Sequence, residues 1–434
     1  MTPHMTLFDR IQNKEAALGV IGLGYVGLPL AVEFARAGFR VVGFDVDAAR
    51  VAELSAGRSY IPDVPTPHLA DVVANGRFMA TTDPTRLADV DIIDICVPTP
   101  LRKTKDPDLS FVVRAVETIA AVLRPGQLVI LESTTYPGTT DELVRPVLEE
   151  KGLRAGVDFH LAFSPERVDP GNTNYQTRNI PKVVGGHDAE STRVAVAFYS
   201  QVIETVVPVS STRVAEMVKL LENTFRAVNI GLVNELALMC HRMGINVWEV
   251  IEAAKTKPFG YMPFFPGPGL GGHCIPIDPY YLSWKAKEHN FEARFIELAG
   301  QVNRSMPEHV VTLVMDALNK VQKAVNGSRV HVFGVAYKKN VNDLRESPAL
   351  DIMELLLRRG AKVSYTDPYF TSFEHLGHRM THEDEATSHG GKDCAVIVTD
   401  HTTFDYPSIV ERFPLVVDTR NALKGLESPK IFRL

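Results

Sequence analysis

The chain has little cysteine and less tryptophan: four of one and two of the other in 434 residues. Cys96, Cys240, Cys274 and Cys394 lie far apart. So few, so spaced, do not make a disulfide framework. No pair has the close spacing of a zinc site, and adjacent His273 and Cys274 have no second pair to complete one, so no metal is expected. Charge of one sign is also lacking. The net charge is −6 without a long basic run, which removes the electrostatic basis for nucleic-acid binding. A long apolar run occurs near the start, where residues 16–35 follow Arg10 and Lys14 in the outline of a signal peptide. Four glycines, Pro29 and Glu33 interrupt it. It divides into strand, turn and helix, so no membrane span is expected and a reducing cytoplasm fits best.

What is present is an ordinary globular composition, 45% hydrophobic and 23% charged, at a length that suits two or three domains. Ala17 to Ile21 predicts a short buried strand. Gly22-Leu23-Gly24-Tyr25-Val26-Gly27 follows, then a helix from about Val26 to Ala37 that Gly38 ends. Arg40 to Val46 is the next strand and carries Asp45. The glycines allow a tight turn and close approach of a pyrophosphate to the backbone, and the helix N-terminus faces its charge. An acid at Asp45 accepts from ribose hydroxyls and disfavours a 2′-phosphate, which points to NAD rather than NADP. Strands over 91–97 and 127–132, with a helix over 111–123 between them, complete a parallel doubly wound pattern. Pro98-Thr99-Pro100 and Ser133-Thr134-Thr135 fall at carboxyl ends of strands, where such folds bind ligands.

From Ser210 to Met243 the pattern is one long helix, with apolar residues at Val214, Met217, Val218, Leu221, Phe225, Val228 and Leu232. It is expected to join two domains and to offer a face for a homodimer or larger assembly. A third part begins near Arg329, with strands over 329–335 and 362–366 around a helix over 348–359. Gly38 and Asp45 are seven apart, and so are Gly360 and Asp367. That match predicts a second Rossmann-like unit. It lacks the three glycines, so a mononucleotide part of a substrate is expected there. The fold class is therefore α/β: two Rossmann-like doubly wound domains joined by a long central helix. The expected domains are 1–207, 208–310 and 311–434.

The chemistry-bearing segment is Gly267-Pro268-Gly269-Leu270-Gly271-Gly272-His273-Cys274-Ile275-Pro276-Ile277-Asp278. Its glycines admit close approach of a substrate to a thiol. Cysteine alone is most often a small buried hydrophobe. Asp278 four residues on strengthens a catalytic role. Lys219 and Asn223 share one helix face and suit a developing oxyanion; a solvated lysine with a packed stem is the rival reading. Ser164-Pro165-Glu166-Arg167-Val168-Asp169-Pro170-Gly171 is either a charged turn or a carboxylate placed to hold water. Tyr337-Lys338-Lys339 puts cations at a turn after a strand, which suits a diphosphate or plain solvation equally.

These motifs, taken in order from Gly19 to about Gly425, resemble the UDP-glucose/GDP-mannose dehydrogenase family of nucleotide-sugar 6-dehydrogenases. The resemblance rests on the glycine fingerprint, Val97-Pro98-Thr99-Pro100, Glu132-Ser133-Thr134-Thr135, Ser164-Pro165-Glu166, Lys219 to Asn223, Gly269 to Asp278, and Phe333 to Lys338 with Asp343 to Ser347. It implies an NAD domain, a central dimerisation region and a UDP-sugar domain. It also implies two oxidations of a C6 alcohol at one site through a thioester on Cys274. Asp278 then supports proton transfer, Lys219 and Asn223 stabilise the oxyanion, and Thr134 and Glu166 orient the hydrolytic water. Gly22, Gly24, Tyr25, Val26, Gly27, Asp45, Pro98, Thr99, Thr134 and Arg345 are the implied cofactor contacts. Glu166, Arg167, Val168, Lys219, Asn223, Gly271, Tyr337, Lys338 and Arg420 are the implied substrate contacts.

The family's UDP-glucose members carry a second glutamate where this chain has Pro170. The runs Pro258 to Pro263 and Cys274 to Tyr281 are most similar to members acting on UDP-N-acetyl-D-glucosamine, which is the expected substrate. UDP-N-acetylmannosamine, UDP-N-acetylgalactosamine and UDP-glucose are the alternatives. The product is expected to feed surface polysaccharide such as O-antigen. A β-hydroxyacid dehydrogenase shares the fingerprint and the lysine-asparagine pair but has no need of Cys274. An NAD-retaining epimerase yields no net NADH. A non-catalytic nucleotide-sugar sensor tolerates loss of Cys274, Lys219 and Asp278, all of which are present.

Overall fold

Short runs of β-branched residues and leucine build the strands. Ile92–Ile95 and Leu128–Leu131 are buried at every residue, as strands covered on both faces must be. The computed structural model describes residues 5–102, 106–169, 172 and 174–434, apart from the side chain of His378. The chain divides into two compact units. One is the chain up to Glu222 together with Trp284–Phe291, and the other is Asn223–Ser283 with Glu292–Leu434. The 32-residue helix Thr212–Met243 runs out of the first and into the second.

The first unit holds an eight-stranded sheet: β1 Ala17–Ile21, β2 Arg40–Phe44, β3 Phe78–Thr81, β4 Ile92–Ile95, β5 Leu128–Leu131, β6 His160–Phe163, β7 Lys182–Gly186 and β8 Val206–Val209. Their order is β3-β2-β1-β4-β5-β6-β7-β8. The order reverses between β1 and β4, and a ligand crevice opens at such a switch point. One pairing departs from the expected parallel pattern: β6 and β7 are antiparallel. The chain between them carries no helix among the described residues, and a parallel return needs a crossover. Stacked Phe34 and Phe198, 4.1 Å apart, fix the helices Gly27–Arg36 and Ala189–Tyr199 over the sheet.

The second unit holds a parallel sheet of β9 Arg329–Phe333, β10 Lys362–Thr366, β13 Cys394–Ile397, β14 Val416–Asp418 and β15 Ile431–Arg433, ordered β10-β9-β13-β14-β15. A separate hairpin pairs β11 Ser372–His375 with β12 His378–Thr381. Val310, Val314, Val332 and Ile352 belong to one core cluster and Phe333, Phe404 and Phe413 to another. The helices Arg294–Lys320 and Pro348–Arg358 supply residues to the first. No helix among the described residues is long and apolar enough to cross a membrane.

Candidate active site

Local geometry gives each fingerprint glycine a different task. Gly22 has φ +92°, and a Cβ there would stand 2.6 Å from Cys96 O. A Cβ on Gly27 would collide with Gly22 O, so that glycine lets the helix close on the turn. Gly24 faces open space, with nothing within 4 Å of where its Cβ would be. Val26 begins the helix Gly27–Arg36 without a side-chain cap, so no side chain of its own satisfies the first N–H groups. An open glycine beside an uncapped helix start fits a pyrophosphate.

Asp45 stands just past β2, 9% exposed, and accepts from Leu23 N (3.1 Å) and Asp47 N (3.0 Å). Tyr60 donates to Leu23 O at 2.5 Å. The turn is therefore held from both sides of one peptide residue, and Tyr60 escaped notice in the sequence because it lies outside any motif. Burial first, then Asp45, pushes its phenol up to about 12, so it stays a donor. Pro98, Thr99 and Thr134 follow β4 and β5, beside the switch point. Ser133 next to Thr134 ties that loop to Ile95 O through both its amide and its hydroxyl.

In the same unit, Lys219 is buried and donates to Glu166 O at 2.5 Å. An ammonium has three hydrogens, so this contact occupies one donor. Glu166 Oε1 accepts from Arg167 N (2.7 Å) and Val168 N (2.5 Å), which turns the loop back on its own carboxylate. The Arg167 guanidinium is bound to Glu222 and to Pro181 O, so it fixes the loop to the helix Thr212–Met243. Pro170 and Gly171 lie outside the described residues.

The second unit carries the cysteine loop. Asp278 N and Ile277 N both donate to Cys274 O, closing a turn that starts the helix Asp278–Glu288. Cys274 is half-buried, while Asp278 and Asn223 are buried and joined, Asn223 Nδ2 donating to Asp278 Oδ2 at 2.5 Å. Burial, then Arg345, lowers the His273 imidazole below its usual range, so it is neutral at pH 7. Gly272 N donates to Arg345 O, and Cβ atoms on Gly271 and Gly272 would come within 2.7 Å of Tyr337. A Cβ on Gly267 would meet Arg420 Nη1 at 2.6 Å. Burial bears on the Arg420 guanidinium, and Asp400 and Asp418 offset part of that. Cys274, Asp278, Asn223, Gly271, Tyr337, Arg345 and Arg420 are thus gathered around one loop, with half-buried Lys338 next to Tyr337.

Two buried amides hold that loop and were not singled out from the sequence. Asn234 Oδ1 accepts from Gly267 N (2.9 Å) and its Nδ2 donates to Asn303 Oδ1 (2.8 Å), while Asn303 Nδ2 donates to Ala227 O (3.1 Å). The only signal was an asparagine in an apolar stretch, between Val233 and Ala237.

Asp367 answers the match with Asp45. It accepts from Val335 N, Ala336 N, Tyr369 N and His401 Nε2. Asn340 N donates to His401 Nδ1, so Nε2 carries the ring proton. Three of these donors meet Oδ2 and Tyr369 N meets Oδ1, so this carboxylate is bound into its own turn.

Residues 16–203, 213–305 and 331–425 match the NAD binding domain, the central domain and the UDP binding domain of the UDP-glucose/GDP-mannose dehydrogenase family. UDP-N-acetyl-D-mannosamine dehydrogenase of Pyrococcus horikoshii is 38% identical over 423 residues, 96% of this chain and 98% of that protein. UDP-N-acetyl-D-glucosamine 6-dehydrogenase of Pseudomonas aeruginosa is 38% identical over 393 residues, 90% of this chain and 92% of that protein. A solved structure of UDP-D-ManNAc dehydrogenase from P. horikoshii aligns with a TM-score of 0.88 at 37% identity, over 96% of this chain and 98% of that one. The chain belongs to the UDP-glucose/GDP-mannose dehydrogenase family and is an NAD-dependent nucleotide-sugar dehydrogenase.

Proposed function

We propose that the protein oxidises the C6 hydroxymethyl group of a UDP-N-acetylhexosamine to a carboxylate, with UDP-N-acetyl-D-glucosamine as the substrate. The observation that supports this most is the cysteine loop, in which Cys274 O accepts from the amide of Asp278, the partner of Asn223, and the glycines lie against Tyr337, Arg345 and Arg420. Guanidinium groups and an aromatic ring suit a nucleoside diphosphate. Gly22, Gly24, Gly27 and Asp45 would hold NAD, which would supply the hydride acceptor for both oxidations.

The remaining work falls to side chains. Asp278 supports removal of the alcohol proton. The Cys274 thiolate adds to the aldehyde carbon, and Lys219 and Asn223 donate to the oxygen that gains charge. Loss of hydride leaves a thioester. Water oriented by Thr134 and Glu166 adds to its carbonyl, the C–S bond breaks, and the acid and thiol separate. Arg167 contributes by fixing its loop.

UDP-N-acetyl-D-mannosamine is the second reading, supported by the P. horikoshii relative of that name. We assign the NAD-binding, central and UDP-sugar domains to 1–207, 208–310 and 311–434, in a cytoplasmic protein. Val214, Met217, Leu221, Phe225, Leu232, Met239 and Met243 are exposed along the long helix and support a homodimer or larger assembly. A monomer by light scattering at micromolar concentration would remove that assignment. The function is tested by counting NADH per sugar with both UDP-N-acetylhexosamines and UDP-glucose. Two NADH per UDP-N-acetylglucosamine, at the highest kcat/KM, is expected. Two from a different sugar corrects the substrate, and one or none from every sugar overturns the four-electron reaction.

A further inference from the structure

Glu166 rests on a closed cluster that the reaction above leaves unused. Glu132 follows β5, Asp94 lies on β4, Lys182 opens β7 and Tyr199 ends the helix Ala189–Tyr199. The side chains of Glu132 and Lys182 are 0% and 6% exposed, against 12% for Glu166. Asp94 and Tyr199 are fully buried. The Lys182 ammonium pairs with Glu132 Oε1, lies 3.6 Å from Glu166 Oε2 and sits 4.9 Å from the centre of the Tyr199 ring. Tyr199 OH is 2.8 Å from Glu132 Oε2 and 3.2 Å from Asp94 Oδ2. Lys219 reaches the same residue from the helix Thr212–Met243, at Glu166 O.

The geometry of the cluster requires a proton here. A phenol has one hydrogen, yet Tyr199 OH bridges two carboxyl groups, so one of them must donate back. Asp94, Glu132 and Glu166 against the ammonium groups of Lys182 and Lys219 would also leave one negative charge without a counter-ion, which a closed pocket does not tolerate. Burial accordingly pushes Asp94 up to about 6 and Glu132 well above the carboxylate range. Burial acts on Glu166 in the same sense, but Lys182, then the bonds from Glu132 and Val168 N, bring it below its usual value. Asp94, Cys96 and Glu132 bring ligand atoms within 4.8 Å of one another, the spacing of a cation site. The Lys182 ammonium already pairs with Glu132, and burial, then Asp94, keeps the Cys96 thiol protonated.

We propose that Lys182 and Glu132 are positioning residues for Glu166: Lys182 keeps that carboxylate ionised and aimed, while Glu132, with Tyr199 and Asp94, holds the proton that leaves Lys182 available to it. The proposal rests on Glu166 being the carboxylate that orients the hydrolytic water. Its proton balance is simple. Glu166 takes a proton from water as the C–O bond forms and releases it to solvent after the C–S bond breaks, and the Glu132 proton stays in place.

The test is the pH profile of kcat for uronate formation in the full-length protein. Lys182→Met should move the acid limb up by about 1–3 pH units, the effect of losing an opposite charge at this range. Lys182→Arg should restore it. Lys182→Met with Glu132→Gln removes the ammonium together with the carboxyl group it is bonded to and should show the same shift, and it carries the test if the single variant does not fold. An unshifted limb in the folded variants, with kcat lowered evenly at all pH or unchanged, overturns the proposal. Glu166→Gln separates the two ideas. If it turns over like the wild type, the reading of Glu166 fails. If it is inactive while the lysine variants keep the wild-type limb, the proposal alone fails.

Discussion

Replacing Asn234 with alanine should loosen the cysteine loop at a cost set by its two partners. The side chain is fully buried and uses both ends of its amide, on Gly267 N and Asn303 Oδ1. Alanine leaves a buried N–H and a buried carbonyl oxygen without partners, at about 1–3 kcal/mol each. Asn303 cannot turn to compensate without releasing Ala227 O. Because coupled groups do not add fully, about 2–4 kcal/mol is expected. For a unit of this size that lowers the melting temperature by about 5–15 °C. Displacement of the loop by about 1 Å costs on the order of 100-fold in rate. The assay is calorimetry with kcat and NAD affinity measured on the same variant. A fall in kcat with NAD affinity retained is expected. The double variant with Asn303→Ala should cost less than the two single variants together, because the two orphans that the single changes leave between Asn234 and Asn303 both disappear. Wild-type melting and turnover in Asn234→Ala, or full additivity with Asn303→Ala, would show that the two amides do not hold the loop.

Cys274→Ser should reduce acid formation by at least about 1,000-fold, the scale of losing a covalent nucleophile, while NAD still binds by titration calorimetry; wild-type turnover removes the covalent route. Asp45→Ala should lower NAD affinity and narrow the preference over NADP, since Asp45 holds Leu23 N as well as the ribose position; a wild-type that uses both cofactors at equal rates contradicts that role. His331 is closed from solvent between Ser364 and Thr366, and burial, then Lys392 and His382, pushes its imidazole from 6.5 down to about 3. The unfolded chain binds this proton first, so the stability carried by the neutral ring is full above pH 6.5. It falls toward pH 3 by up to about 1.4 kcal/mol per unit. His331→Phe should flatten the loss of melting temperature between pH 6.5 and 4, and an unchanged slope counts against it.

Motifs whose meaning is local could be read without coordinates. The glycine turn, its following helix and the strand before Asp45 are neighbours in sequence, so spacing alone defines the cradle. The cysteine loop was visible for the same reason. The supports of both sites were not. Lys182 joins residues from β7, β5 and the loop after β6, and Asn234 joins a helix to residues 33 and 69 positions away. No periodicity records such meetings. The antiparallel return of β7 was likewise hidden, because the described residues between β6 and β7 form no crossover helix.

The matched spacing of Gly38–Asp45 and Gly360–Asp367 marks the boundary between the two kinds of knowledge. A strand, a helix and a strand ending at an acid are legible in both segments without coordinates, because those signals are carried by adjacent residues. Tertiary structure decided what each acid does. Asp45 accepts two backbone amides beside an open glycine turn. Asp367 accepts from three amides and from His401, a residue 34 positions away that only the folded sheet brings to it. A carboxylate has a limited number of lone pairs, and the fold determines which donors reach them.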